Sequence, residues 1–353
     1  MVLLFLSSGL FLGWALGANN AANLFGTAVR TRMLRFETAA VVCGLSAILG
    51  ATLSGAGTTH TLAELGTVNT AGGAFMVALA AGAAVYAVLR RLALPVSTPQ
   101  AIVGAIVGWN LFSGRPTEIT TLKRIVLSWV LSPLLAAAFA ALLFVALAAL
   151  LRRAPVHMLR LDAITRVALL AVGAFAAYSL GSNNISTVMG VFVPALAIPG
   201  LRLPLLGEVS GAQEIFFLGG VAIAVGLYTY SKRVIDRVTK TVSELSPLAA
   251  LVVVLAESLV LFLFSSQDLE AFLTSRHLPH FPLVPVSASQ AFIGALIGIG
   301  LVKGTQTVRF RQLWEVVIGW VVAPALAALL AFVGLFILQN VFQLEVLRGG
   351  TAG

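Results

Sequence analysis

Charge is scarce in this chain. Only 10% of its 353 residues are Asp, Glu, Lys or Arg, against about 25% in an ordinary soluble domain. So little charge cannot cover a surface that faces water, and soluble catalytic domains are excluded for lack of room. Cysteine is scarcer still: Cys43 is the single one, so no intrachain disulfide and no thiolate metal cluster can form. It reads as a small packing residue inside an apolar run. With four histidines, the sequence does not offer the His, Cys or paired-Asp cluster that a membrane enzyme needs.

What the chain has is apolar length. Hydrophobic residues make up 59% of it, Ile125–Leu151 carries no charge over 27 residues, and Val316–Leu344 carries none over 29. About 20 such residues cross the hydrocarbon of a bilayer as a helix. The runs are continuous rather than alternating, which excludes a transmembrane barrel. The sequence therefore predicts an all-α polytopic membrane protein. Apolar segments fall at 1–29, 36–56, 70–89, 94–113 and 125–151, then at 167–194, 213–230, 247–264, 283–302 and 313–340. The first could pass for a secretory signal, since Val2–Leu16 is apolar and Ala15-Leu-Gly17 looks cleavable. But no basic residue precedes it, and the stretch after Leu16 recurs deep inside the chain, so it reads as a retained span.

Ten crossings would sort the loops onto two sides. Sixteen of the 22 Lys and Arg fall in one set of loops, including Arg30–Arg35, Arg152–Arg166 and Lys232–Lys240, and six in the other. The positive-inside rule puts the first set in the cytoplasm of a cell-membrane protein and both termini outside. The net charge of +9 is thus spent on topology, and nucleic-acid binding is not expected.

The chain also repeats itself. Gly17-Ala-Asn-Asn matches Gly181-Ser-Asn-Asn, 164 residues on; Thr59-His-Thr-Leu-Ala-Glu matches Thr239-Lys-Thr-Val-Ser-Glu; Pro95-Val-Ser-Thr-Pro-Gln matches Pro285-Val-Ser-Ala-Ser-Gln; Trp129 and Pro133 match Trp320 and Pro324. The order is kept and the spacing grows slowly, to 191, which places insertions around Ile198–Ala212 and Gln267–Phe281. Five segments per half, an odd number, predict two inverted-topology repeats, 1–151 and 167–353, joined by a cytoplasmic linker at 152–166. That architecture belongs to secondary transporters with a substrate site near the midplane.

Three polar motifs recur with the apolar pattern. Asn19, Asn20, Asn183 and Asn184 lie inside apolar segments, where unpaired amides cost several kcal/mol. They fit a broken-helix binding site opened at the flanking glycines, or amide glue between helices. Thr98 suits a helix N-cap, with Pro99 at the first helical position and Gln100 in the first turn; Ser287-Ala-Ser289-Gln290 keeps the hydroxyls and the Gln. Two such N-termini approaching from opposite halves would form an anion site lined by Ser97, Thr98, Ser287 and Ser289, with Gln100 and Gln290 beside it. Simple capping is the other reading. Glu64 and Glu244, each preceded by a Thr-x-Thr, fit either a coupling-ion site with Asn23, Thr59 and Thr239 or solvated turns. Glu257 is an intramembrane acid without a repeat partner, and His60 reads as structural.

Together the motifs resemble the inorganic phosphate transporter (PiT) family over essentially the whole chain. That family carries a duplicated Gly-Ala-Asn-Asp-x-x-Asn signature and a Pro-Val-Ser-Thr-Thr-His motif before Ala-Ile-Val-Gly. Gly17-Ala18-Asn19-Asn20 with Asn23, and Pro95-Val96-Ser97-Thr98 with Ala101-Ile102-Val103-Gly104, carry the match. The resemblance implies uptake of inorganic phosphate coupled to Na⁺ or H⁺, no other cofactor, and a homodimer in the bilayer. Two departures stand out. Both signature aspartates are Asn here, Asn20 and Asn184, and Thr-His is replaced by Pro99-Gln100 and Ser289-Gln290. A Na⁺ ion held at Asn20 and Asn184 would lack its usual carboxylates. Sulfate, which needs donors only, becomes the alternative substrate, and an uncoupled anion channel the alternative mechanism.

Overall fold

The computed structural model describes residues 2–92, 96–153, 157–196, 198–203, 207–229, 245–304 and 310–347. Its helices are α1 (Val2–Ala21), α2 (Thr27–Arg30), α3 (Phe36–Ser54), α4 (Thr59–Leu65), α5 (Ala71–Leu92), α6 (Thr98–Ser113) and α7 (Ile119–Arg153). Then come α8 (Met158–Met189), α9 (Phe192–Leu196), α10 (Gly211–Thr229), α11 (Pro247–Leu263), α12 (Gln267–Ser275), α13 (Ala288–Lys303) and α14 (Phe310–Asn340). The one departure from helix among the described elements is an antiparallel hairpin of β1 (Leu201–Leu203) and β2 (Gly207–Val209), pairing Arg202 with Glu208. It occupies the first of the two expected insertions.

Among the described residues, seven helices are long and apolar enough to cross a membrane, where ten segments are expected from the sequence. The other three differ for visible reasons. α11 and α12 meet at a 66° bend, because Ser266 caps a new helix by accepting from the Leu269 N–H. α6 and α13 have 16 residues each, about 24 Å at 1.5 Å per residue, short of the ~30 Å core of a bilayer. The chain before each is extended at its cap residue, so apolar sequence there is not all helix.

Packing crosses between the halves. α1 lies on α10 and α3 on α8, while α6 lies on α14 and α13 on α7. Exchanging each helix for its sequence counterpart turns the first pairing into the second, and the third into the fourth. Small residues permit this closeness. A methyl group at Gly17 would overlap the Ile223 carbonyl, and one at Gly181 the Ala47 carbonyl. The outermost helices, α7 and α14, expose Leu127, Leu134, Leu142, Val321 and Leu329, apolar faces suited to lipid.

Candidate functional site

Asn19 and Asn183 come first, because they position everything else. Asn19 Nδ2 donates to the Val96 carbonyl at 2.7 Å, and its Oδ1 accepts from the Val96 N–H at 3.1 Å. Asn183 does the same in the second half: Nδ2 donates to Val284 O at 3.2 Å and Leu261 O at 3.3 Å, and Oδ1 accepts from the Val286 N–H at 2.8 Å. Each amide thus serves as a strand-like partner for the extended residues that lead into α6 or α13. No break occurs at the Asn pairs. α8 runs unbroken through Asn183 and Asn184 to Met189. In the first half the irregularity comes later, as a π-helical turn over Ala22–Gly26, and wide turns of this kind gather at functional sites. Gly17 and Gly181 serve helix contact rather than breakage.

Held in this way, α6 and α13 start beside one another. Ser97 and Ser287 are the caps, accepting from the Gln100 and Gln290 N–H groups at 3.3 Å each. The cap is therefore Ser97 and not Thr98, which is the first helical residue, with Pro99 second. A hydroxyl that accepts one N–H still has its own proton to donate. Ser289 Oγ crosses the halves and donates to Val96 O at 3.2 Å, so two positive helix ends meet at one buried point. Thr98 Oγ1, Gln100 Oε1 and Gln290 Oε1, in the first turns of these helices, are buried without partners, as is Asn20 Oδ1 on α1. The Asn20 amide donates to its own helix at Leu16 O, 2.9 Å, and Asn184 Nδ2 reaches Asn183 Oδ1 at 3.4 Å. Gln100 and Gln290 also line one cavity of about 710 Å³ with Trp129, Trp320, Pro133 and Pro324.

The proposed coupling residues do not all gather here. Asn23, in the π-helical turn that follows α1, is buried with both side-chain heteroatoms unpartnered. Thr59 bonds its own chain at Gly55 O, 3.1 Å. Glu64 lies in a half-exposed cluster with His60 Nδ1 at 3.1 Å, Thr121 Oγ1 at 3.2 Å and Arg124 at 4.0 Å. Thr239 and Glu244 lie outside the described residues. Two groups were not singled out from the sequence. Thr187, buried with an unpartnered hydroxyl, is the repeat counterpart of Asn23, and that register was its signal. The Trp129 and Trp320 indole N–H groups are likewise unpartnered; their matched positions were legible, their place on the cavity was not.

Comparison with known proteins gives the fold and the family. A solved structure named "The sodium-dependent phosphate transporter" has the same fold, with a TM-score of 0.72 over 95% of this chain and 99% of that one at 19% identity. A protein of Methanocaldococcus jannaschii that bears the name phosphate permease is 28% identical over 92% of this chain and 93% of its own length. The chloroplast inorganic phosphate transporter 2-1 of Arabidopsis thaliana is 23% identical over 95% of this chain and 72% of its own. The sequence profile of the phosphate transporter family matches residues 16–164, 157–271 and 280–348, a span that takes in both Asn pairs and both capped helix starts. This multi-pass membrane chain belongs to the phosphate transporter family.

Proposed function

We propose that the chain is a secondary transporter that imports inorganic phosphate together with a cation by alternating access. The observation that carries this reading is the meeting of the α6 and α13 N-termini, joined by Ser289 Oγ and Val96 O. The Thr98 N–H of one half, the Ala288 and Ser289 N–H groups of the other and the Ser97 and Ser287 hydroxyl protons would converge there on one anion, the arrangement expected between repeats of opposite topology. The exchange of helix partners between the halves supports inverted repeats at 1–151 and 167–353, and the basic-loop asymmetry supports termini outside the cell membrane. The exposed apolar faces of α7 and α14 suit lipid or a second copy in a homodimer.

Ser97, Thr98 and Ser287 would hold the anion, while Ser289, whose hydroxyl proton goes to Val96 O, would tie the two helix ends together rather than donate to substrate as its sequence suggested. Asn20, Asn184, Gln100 and Gln290 would lie around the anion and Asn23 toward the coupling ion. Asn19 and Asn183 would hold the frame. Sulfate is the second reading, favoured by the missing carboxylates at Asn20 and Asn184. The test is uptake of labelled phosphate and of labelled sulfate into liposomes holding the purified protein, under separate Na⁺ and H⁺ gradients. Saturable, gradient-driven phosphate uptake is expected. Preference for sulfate would reassign the substrate, and flux indifferent to every cation gradient would make the protein a channel.

A further inference from the structure

Glu257 stands in the interior of α11 and is fully buried, and neither carboxylate oxygen has a hydrogen-bond partner. The elements packed against α11 are α8, α13, α7 and α2. Their titratable groups lie elsewhere. Arg160, Asp162 and Arg166 are in the first turns of α8, with Arg166 Nε on Asp162 at 2.8 Å. Tyr178, further along α8, shares its hydroxyl with Ser54 at 2.6 Å. α13 ends in Lys303 and α2 in Arg30, while the bases of α7 sit at its two ends. Among the described residues none forms an ion pair or hydrogen bond with Glu257. A bare carboxylate in such packing costs several kcal/mol, and an intramembrane acid is retained where it does something.

Its place in the fold says what it can act on. Leu261 lies one helical turn beyond it on the same face, and the Leu261 carbonyl accepts both Asn183 Nδ2 and Ser265 Oγ, the latter at 2.9 Å. Asn183 in turn holds Val284 and Val286, the entry to α13. Glu257 is thus linked through the α11 backbone and Asn183 to one of the two helix ends at the candidate site. A proton needs only one oxygen, and both Glu257 oxygens are without a hydrogen-bond partner.

Resting on the transport reading above, we infer that Glu257 is the proton-binding site of the cycle, and that it replaces the two signature carboxylates absent at Asn20 and Asn184. The carboxylate takes one proton from the side from which the anion enters, forming an O–H bond and removing the buried charge. The loaded, neutral site turns over, and the same O–H bond breaks to release the proton with the anion on the other side. One proton enters for each turnover.

The experiment uses the full chain in liposomes, as parent, Glu257→Gln and Glu257→Asp, in Na⁺-free buffer. Labelled phosphate is followed as exchange at equal pH on both sides, and as accumulation under an inside-alkaline gradient. The expected result is accumulation by the parent, exchange by E257Q within about twofold of the parent but no accumulation, and partial recovery in E257D. Accumulation by E257Q at the parent level overturns the inference, as does a parent that accumulates only when Na⁺ is supplied. A variant that loses exchange along with accumulation, with E257D no better, also overturns it, because the residue is then needed for folding or binding alone. Failure of the transport reading looks different: the parent itself exchanges no phosphate, and the proton site falls with it.

Discussion

Gly104 and Pro324 lie backbone against backbone: a methyl group at Gly104 would overlap the Pro324 carbonyl oxygen, and Gly294 meets Pro133 in the same way across the other pair of helices. Each contact joins a short helix that starts at the candidate site to a long helix with proline inside it. Proline removes a helical N–H, so each long helix lacks one of its own hydrogen bonds at a level where a short helix presses against its backbone.

Gly104→Ala and Gly294→Ala should each destabilise the protein by at least the ~1–3 kcal/mol typical of overpacking. Because the two contacts are counterparts, the losses should be alike. Thermal unfolding of the detergent-solubilised variants measures this. A parent-like melting temperature in either one would mean that the contact is slack.

Asn19 and Asn20 are neighbours with opposite assignments. Asn19→Ala strips a buried backbone N–H of its partner, and Asn183→Ala does the same at Val286; each such loss costs about 1–3 kcal/mol. Asn20→Ala leaves no backbone N–H unpaired, so it should melt close to the parent while raising the KM for phosphate. Unfolding and uptake measured on the same preparations separate the two. Loss of stability in Asn20→Ala equal to that in Asn19→Ala would remove the distinction.

Ser97→Ala and Ser287→Ala should show two effects at once. Losing the cap costs about 1 kcal/mol of stability. Losing a hydrogen bond to a charged ligand costs ~1.5–3 kcal/mol, a KM higher by roughly ten- to hundredfold. Serines that only cap their helices would lower the melting temperature and leave KM where it was.

The Asn20→Asp, Asn184→Asp double variant restores the family's two carboxylates. Two unit charges ~4 Å apart at an effective dielectric of ~20 interact by about 4 kcal/mol, enough to change which ion is held. Na⁺ dependence, weak in the parent, should rise, and sulfate uptake should fall relative to phosphate, since only phosphate offers a proton to a carboxylate. The ratio is read within one preparation, so expression cancels. Steep Na⁺ dependence in the parent, or an unmoved ratio, defeats the expectation.

A candidate site is legible in sequence because Asn19, Asn20, Asn183 and Asn184 are amides in apolar runs, and those must be answered by something. Their division of labour is not, since the partner of Asn19 is Val96, 77 residues away. The cap was read one residue late: proline is common at the first helical position, but here it stands at the second. Seven long helices rather than ten stand out among the described residues because composition does not show that the apolar segments at α6 and α13 hold only 16 residues of helix each. Glu64 looked like a repeated functional acid until Arg124 arrived from α7, a contact that no local pattern encodes.

The crossing of partners between the halves also sets an order of events during synthesis. When the ribosome has finished α7, the faces of α1 and α6 that carry Gly17 and Gly104 have nothing to close on, because α10 and α14 do not yet exist. The first half must therefore wait in the bilayer with α5 packed on α1 and α6 but with those glycine faces still turned to lipid. The packing of α6 is completed only as α14 threads in against it, and a chain stopped before α14 leaves one end of the candidate site without a wall.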